Sequence, residues 1–315
     1  MMEIRPYQAG NEKQILELFH LSFGKPLSEN FWQWRFAHHP EDKKMIMLMW
    51  DDDRLVGHYA VSPMRMLIGG IEVLTALSMT TMTHPEYSGR GIFTDLAESL
   101  YSEQKTKNQL AAVWGFPNHN SHYGFIKNVG WRNLEQIPTF SIETNHIQIQ
   151  ETIIAIGKEF HQSHYEATLK NKFPVQIKRS ASYLNWRYFE NPIHDYVLFE
   201  HYEGSEISFA VAKLFQSFTD QSRFEVDILE WEMPADIRIQ QHFLSSIKEH
   251  FSAQHPFRIN MWVPLNDPKH IQLEKIGFRN QAPITYSGIR ILSDGLDEML
   301  KSEKWHYNFG YSDIY

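Results

Sequence analysis

The sequence predicts a mixed α/β (α+β) protein: two tandem copies of one fold, each a mixed, largely antiparallel central sheet flanked by helices. Three observations carry this reading. Four short blocks recur in the same order about 150 residues apart. In each copy, stretches of helical apolar spacing alternate with short apolar or alternating stretches. In the first copy a glycine-bearing turn, His84 to Gly91, separates a strand pattern from a helix pattern.

The repeated blocks are specific. "FWQWRFAHHP" (Phe31 to Pro40) matches "YLNWRYFENP" (Tyr183 to Pro192), which sets Arg35 on Arg187 and Pro40 on Pro192. "RLVGHYAV" resembles "SEISFAVA". "GFPNHNSHYGFIKNVGWRN" resembles "MWVPLNDPKHIQLEKIGFRN", with Pro117 on Pro264 and Gly130 on Gly277. "IPTFSIET" resembles "APITYSGIRI". Order and spacing together argue for duplication, and the junction falls near Asn145 to Gln150. The expected domains are 1–146 and 147–315.

Each element of the first copy has its own signal. Glu12 to Phe23 is a helix, because Ile15, Leu16, Leu18 and Phe19 share a side. Phe31 to Pro40 is a short helical piece that Pro40 stops. Met45 to Trp50 and Leu55 to Val61 are strands around a turn at Asp51 to Arg54. Gly69-Gly70 joins Met64 to Ile68 and Glu72 to Thr83 as a hairpin. Thr94 to Lys107 is a helix with Leu96, Ala97, Leu100 and Tyr101 inward. Leu110 to Phe116 is a strand, Ser121 to Asn128 a helix closed by Gly130, and Ile137 to Glu143 the last strand.

Composition narrows the function. The chain has 315 residues and is 42% hydrophobic, enough for a sizeable core. It has no cysteine, which excludes disulfides and Cys-ligated zinc and suits a reducing compartment. A net charge of −8 argues against a nucleic-acid partner. The start of the chain lacks a signal-peptide core, and the apolar run Met45 to Trp50 is far below the ~20 residues that span a bilayer. A cytoplasmic protein without membrane insertion is expected, with a homodimer left open. The 17 histidines form no metal-ligand pattern, so no metal site is expected.

"HPEYSGRGIFTDLAESL" and the elements around it resemble the GNAT superfamily of acyl-CoA N-acyltransferases. That family's pyrophosphate loop, Gln/Arg-x-x-Gly-x-Gly/Ala, falls on Ser88-Gly89-Arg90-Gly91-Ile92-Phe93. Ser88 stands where the family has Gln or Arg, and Phe93 where it has a small residue. Glycines let phosphate oxygens approach the backbone, and the open N–H groups at the start of a helix then donate to the anion. Arg90 adds positive charge, and the Thr94 hydroxyl lies at the start of the helix. The resemblance implies that backbone at Met82 and Thr83 pairs with pantetheine amides, as an added strand pairs with a sheet edge. It also implies acetyl-CoA, or another acyl-CoA, as cofactor.

Downstream, "PNHNSHYGFIKNVGW" follows the family's second motif and implies that Asn118 helps hold the cofactor. The family's Tyr, which protonates the leaving thiolate, is replaced here by Phe125. Tyr123 is the candidate catalytic acid, although two residues on a helix are about 200° apart. The strand "LTALSMTTMT" has no carboxylate to act as base. Ser78, Thr80, Thr81 and Thr83 there suit a water chain, and the candidate bases are His84, His119, His122 and the terminal carboxylate of Tyr315.

In the second copy, Pro234-Ala235-Asp236 replaces the glycines, so that copy is expected to have lost cofactor binding. Trp34-Arg35 and Trp186-Arg187 read as architectural. The tail "WHYNFGYSDIY" reads equally as pocket lining or as packing. Tandem chains with such "WRY…NP" segments resemble acetyltransferases of bacterial surface-polysaccharide loci, which implies a small-molecule amine acceptor such as an amino sugar. Two other readings stand beside this one. The first is an enzyme like the aminoacyl-tRNA-dependent ligases of peptidoglycan bridges, and the second is a non-catalytic CoA-binding or scaffold protein.

Overall fold

The computed structural model describes residues 1–151, 153–161, 173–204, 206–217, 220–298 and 300–313, with the side chains of 282, 283 and 302 set aside. The chain divides into two compact units, each built around a mostly antiparallel sheet with helices against it. Their boundaries interleave. The first unit comprises residues 1–134, 174–178 and 286–305. The second comprises 135–173, 179–285 and 306–315.

In the first unit, β1 (Met2–Pro6), β2 (Met45–Asp51), β3 (Arg54–Ile68) and β4 (Ile71–Thr83) pair antiparallel in that order. Gly69 and Gly70 make the β3–β4 turn with φ of 58° and 82°, a left-handed geometry that favours glycine. β5 (Ala112–Gly115) then joins β4 in parallel. β8 (Val175–Ile177) lies on the other side of β3.

Helix α1 (Glu12–Phe23) and the short α2 (Glu29–Trp32), which continues as one π-turn over Gln33–Ala37, cover one face of the sheet. Ile15, Leu18, Trp32 and Phe36 pack there on Leu48, Ala60, Met79 and Met82. Helices α3 (Ile92–Thr106) and α4 (His119–Asn128) cover the other face. Leu96, Leu100, Tyr101, Phe125 and Val129 meet Tyr59, Val61, Ala76 and Val113 there. Burying each large side chain contributes about 1.5–3 kcal/mol.

The second unit repeats this element order. β9 (Val197–Glu203), β10 (Glu206–Gln216) and β11 (Phe224–Glu232) form an antiparallel meander. A long helix, Ile237–His250, follows. Then come β12 (Arg258–Trp262), parallel to β11, and a short helix, Lys269–Ile276. β7 (Ala155–Gly157) edges β9.

The strand that follows the last helix is exchanged in both halves. β6 (Arg132–Glu143) pairs through Thr139 to Glu143 with β12 of the second unit. β13 (Arg279–Ile291) pairs through Gly288 to Ile291 with β5 of the first. Contacts therefore do not divide at the expected 146/147 boundary. A parallel neighbour needs a long crossover, whereas either half's last strand offers an antiparallel edge, and no local pattern says which edge it takes.

Arg35 and Arg187 align in the repeat and are both buried, but their partners differ. Arg35 Nε lies 3.0 Å from Met79 Sδ. Arg187 donates to the carbonyls of Gly310 and Ser312, which ties the aromatic tail to the second unit. Tyr307, Phe309 and Tyr311 are buried, so the described part of the tail is packed.

Candidate active site

The site is assembled where β4 and β5 part. The two strands pair only at Ala76–Val113 and Leu77–Trp114. Gly115 closes β5 against the start of the gap. A Cβ on it would lie 3.3 Å from the Ser78 carbonyl, so glycine permits the approach. Beyond Leu77, the edge of β4 that faces away from β3 is free of ladder pairing among the described residues. That edge, Ser78 to Thr83, carries backbone donors and acceptors suited to an added extended chain.

β4 is not straight here. His58 pairs with Met82 and Ala60 with Met79, so Thr80 and Thr81 together face Tyr59. This is a β-bulge, a device that re-aims backbone groups next to sites. Thr80 has a φ of 51°, rare for a β-branched residue. Its carbonyl is held by His58 Nδ1 at 2.7 Å. His58 is fully buried, and burial lowers its pKa to about 4, so the ring is neutral and Nδ1–H donates.

The turn after β4 is fixed by polar contacts. His84 caps a single 3-10 turn, Pro85–Tyr87, by accepting the Glu86 N–H on Nδ1 at 3.2 Å. Its Nε2 lies 2.8 Å from Arg54, which also pairs with Glu86. Tyr87 donates to Asp51 at 2.8 Å, and Arg90 stacks 4.6 Å over the Tyr87 ring while donating to the Glu86 carbonyl.

Gly89 and Gly91 follow with φ of 76° and 79°. Both face open space, so their conformation rather than crowding demands glycine. Gly91 is the N-cap of α3, and no side chain caps that helix. The first intrahelical acceptor, the Gly91 carbonyl, takes the Asp95 N–H. The N–H groups of Ile92, Phe93 and Thr94 therefore open toward the turn, an arrangement that binds anions. Gly57 lets this helix end settle: a Cβ there would meet Ile92 at 2.3 Å.

The expected cofactor residues divide by role. Gly89, Gly91 and the backbone of Ile92, Phe93 and Thr94 form one open cradle, flanked by Ser88 and Arg90. The Phe93 ring turns inward onto Phe125 and Tyr59, which leaves its N–H for the cradle. The Met82 side chain packs beneath α1. Thr83 lends its carbonyl to Ser22. Asn118 caps α4: its Oδ1 accepts the Asn120 and Ser121 N–H groups at 3.0 Å, leaving the amide Nδ2 as its free donor.

The candidates for proton transfer scatter. Tyr123 is 68% exposed, while Phe125 is 6% exposed and packs on Phe93 and Trp131. Both ring nitrogens of His84 are engaged in the turn. His122 stacks on Tyr286 at 4.5 Å and bonds Asn133. His119 is exposed on the first turn of α4. Tyr315 lies outside the described residues.

Sequence reasoning missed one polar group of this site. Tyr59, Tyr101 and Trp131 form a buried hydroxyl and indole chain, with Tyr59 Oη 2.6 Å from Tyr101 Oη and Trp131 Nε1 2.9 Å from Tyr101 Oη. Ser78 Oγ lies 3.1 Å from Tyr59 Oη. Tyrosines in apolar runs read as core, and these are core. Only their convergence is informative.

In the second unit, the helix that corresponds to α3 begins differently. Asp236 is its N-cap and accepts the Arg238 N–H at 2.8 Å. A carboxylate occupies the place that the first unit leaves open.

A family model for the acetyltransferase (GNAT) domain matches residues 3–133. No curated protein matches the chain in sequence. Three solved structures share the fold at low identity. A GCN5-related N-acetyltransferase from Anabaena variabilis has a TM-score of 0.68 at 13% identity, over 93% of this chain and 73% of that one. A probable N-acyltransferase of unknown function from Enterococcus faecalis has a TM-score of 0.69 at 13% identity, with the same coverage. The Saccharomyces cerevisiae N-myristoyltransferase with bound myristoyl-CoA has a TM-score of 0.66 at 8% identity, over 91% of this chain and 78% of that one. Residues 3–133, the segment similar to the acetyltransferase (GNAT) domain, hold the bulged β4, the Gly89–Gly91 turn and the open start of α3.

Proposed function

We propose that the protein transfers an acyl group, acetyl in the first instance, from acyl-CoA to a primary amine of a small molecule, with an amino sugar as the favoured acceptor. The observation that carries this reading is the pair of left-handed glycines that leave the first N–H groups of α3 open at the end of a splayed strand. Ile92, Phe93 and Thr94 hold the pyrophosphate through backbone N–H groups, with the helix dipole adding about 0.3–1 kcal/mol. The free edge of Ser78 to Thr83 holds the pantetheine. The amine nitrogen attacks the thioester carbon; a C–N bond forms, the C–S bond breaks, and the thiol leaves with a proton. The attacking amine must be neutral, which at pH 7 costs about 4–5 kcal/mol for a lysine-like amine. Catalysis then rests on proximity and on hydrogen bonds to the developing charge.

We further propose that the two units descend from one duplicated fold and that only the first binds cofactor, since Asp236 sets a negative charge where a phosphate would sit. A second reading, a CoA-binding protein without turnover, is favoured by one observation: Phe125 fills the family's tyrosine position and is buried. Incubation with acetyl-CoA and a panel of primary amines, amino sugars included, separates the two. Release of free thiol that depends on one acceptor class supports the transferase. Binding of acetyl-CoA without thiol release from any amine supports the second reading.

A further inference from the structure

The far end of α3 borders a pocket that the acyl-CoA reading does not use. The pocket has a volume of about 240 Å³ and lies between the last turns of α3, the start of β2 and the end of β1. A helix rises 1.5 Å per residue, so the 15 residues of α3 set it about 20 Å from the Gly89 to Thr94 cradle.

Its charge runs against that of the whole chain. The protein has a net charge of −8, yet Lys43, Lys44 and Lys107 line the pocket against one carboxylate, Glu103. Glu103 pairs with Lys107, and Lys44 lies 3.8 Å from the exposed Asp42. Lys43 is half-buried and has no hydrogen-bond or ion-pair partner among the described residues. A helix C-terminus normally adds free carbonyls and a partial negative charge. Here the carbonyls of Glu103, Gln104 and Lys105 already accept the N–H groups of Lys107, Gln109 and Asn108.

The pocket also holds an unpaired polar side chain. Gln104 lines it and is 4% exposed, and its amide makes no hydrogen bond among the described residues. Oε1 is enclosed without a partner, which leaves Nε2 as the end that serves the pocket. Burying an amide unpaired is costly, and a bound group that accepts from Nε2–H offsets that cost. Ammonium and amide N–H donors together select an anion. No arginine lines the pocket. The planar Arg fork matches a carboxylate, whereas ammonium point charges meet a tetrahedral phosphate from any side. Buried Ile46 and Leu100 give an apolar floor. Pockets for drug-sized ligands run to about 300–1,000 Å³, so this ligand is smaller.

We infer that this pocket is a second ligand site, for a small phosphate monoester: Lys43, Lys44, Lys107 and Gln104 Nε2 hold the phosphate, and Ile46 and Leu100 meet the organic part. The inference does not depend on what the cradle binds.

Titration calorimetry of the full chain with glycerol 3-phosphate tests it, in the wild type, Lys43→Gln, Gln104→Met and Lys25→Gln. Lys25 is exposed and outside the lining, so it controls for net charge. The expected result is saturable binding, equal in the wild type and Lys25→Gln. Kd should rise about tenfold in Lys43→Gln and in Gln104→Met, as for loss of a hydrogen bond to a charged group. Inorganic phosphate should bind about tenfold more weakly than the ester, because it leaves the apolar floor uncovered. Millimolar acetyl-CoA should leave the Kd of the ester unchanged. Without ligand, Gln104→Met should keep or raise Tm, since it removes an unpaired buried amide; a lowered Tm would show that amide to be paired and overturn its role. No saturable binding by about 10 mM ester overturns the inference. So do an equal Kd in the wild type and both pocket variants, equal affinity for inorganic phosphate, and displacement of the ester by acetyl-CoA. Should Lys43→Gln fail to fold, Gln104→Met reads the same loss, and an unchanged Kd there overturns the inference. None of these results bears on the acyl-CoA reading except the displacement, which would give the lysines to that ligand.

Discussion

The His58 ring and the Thr80 carbonyl meet at 2.7 Å, at the one residue of β4 whose backbone is left-handed. The bond takes a carbonyl out of the sheet ladder and fixes the bulge that re-aims the strand. Without a donor at residue 58, a buried carbonyl is left unpaired, which costs about 1–3 kcal/mol. His58→Leu should lose that stability in urea unfolding. His58→Asn, whose amide reaches a similar point, should lose less.

The same histidine makes stability depend on pH. Its folded pKa of about 4 lies below the ordinary 6.5, so the folded state binds fewer protons between those values. Stability is complete above pH 6.5 and falls as pH drops toward 4, by about 3 kcal/mol over the full window. Buried His39, lowered to about 3 by burial and by Arg35, acts with the same sign. Urea midpoints at pH 7 and pH 4.5 should differ less in His58→Asn than in the wild type. An equal difference would remove His58 from the acid response.

Gly57 seats the cradle from below. A methyl group at residue 57 would meet Ile92 at 2.3 Å and Met49 at 3.0 Å. Gly57→Ala should cost about 1–3 kcal/mol by overpacking. It should also weaken acetyl-CoA binding, because it displaces the first turn of α3. Titration calorimetry of the folded variant checks the second effect.

Gly91 and Asp236 start corresponding helices with opposite chemistry. A side chain at residue 91 has open space but a left-handed φ, at about 1–2 kcal/mol. Gly91→Asn and Gly91→Asp should share that loss. Only the aspartate sets a charge against the phosphates, so it should bind acetyl-CoA much more weakly than the asparagine variant. Equal affinities would place the pyrophosphate elsewhere.

In the second unit, Arg179 donates to Glu230 at 2.6 Å and to Glu232 at 2.7 Å, all three buried. Tyr188 and Asn308 also donate to Glu230. Arg179→Met strands two carboxylates and should cost about 3–5 kcal/mol. The deficit should shrink as pH falls, because stranded carboxylates take up protons. Urea unfolding at pH 7.5 and pH 5 measures both.

Local order was legible where local chemistry sets it. Periodicity marks α1 from Glu12 to Phe23, and the structure has the same ends. Gly69-Gly70, Gly130 and Gly277 mark a turn and two helix ends, each left-handed. Helix α3 starts two residues before its expected Thr94, because Ile92 and Phe93 read as turn while their side chains already pack inward. The bulge left one trace: "LSMTTMT" alternates except at Thr80-Thr81, and only the register with β3 shows that this pair holds the extra residue. The exchange of β6 and β13 depends on edges far away in sequence. Of the candidate site, the cradle could be read from its glycines. The Ser78 chain could not, because four residues from distant segments make it.

The central claim is that the Gly89 to Thr94 cradle binds acyl-CoA, and thermal unfolding of the wild type with and without acetyl-CoA tests it most directly. Ligand at about 100 times its Kd should add about 2.7 kcal/mol and raise Tm, while the Gly91→Asp variant should show little or no rise. An unmoved wild-type Tm with millimolar acetyl-CoA and with longer acyl-CoAs, or an equal rise in Gly91→Asp, would contradict the account.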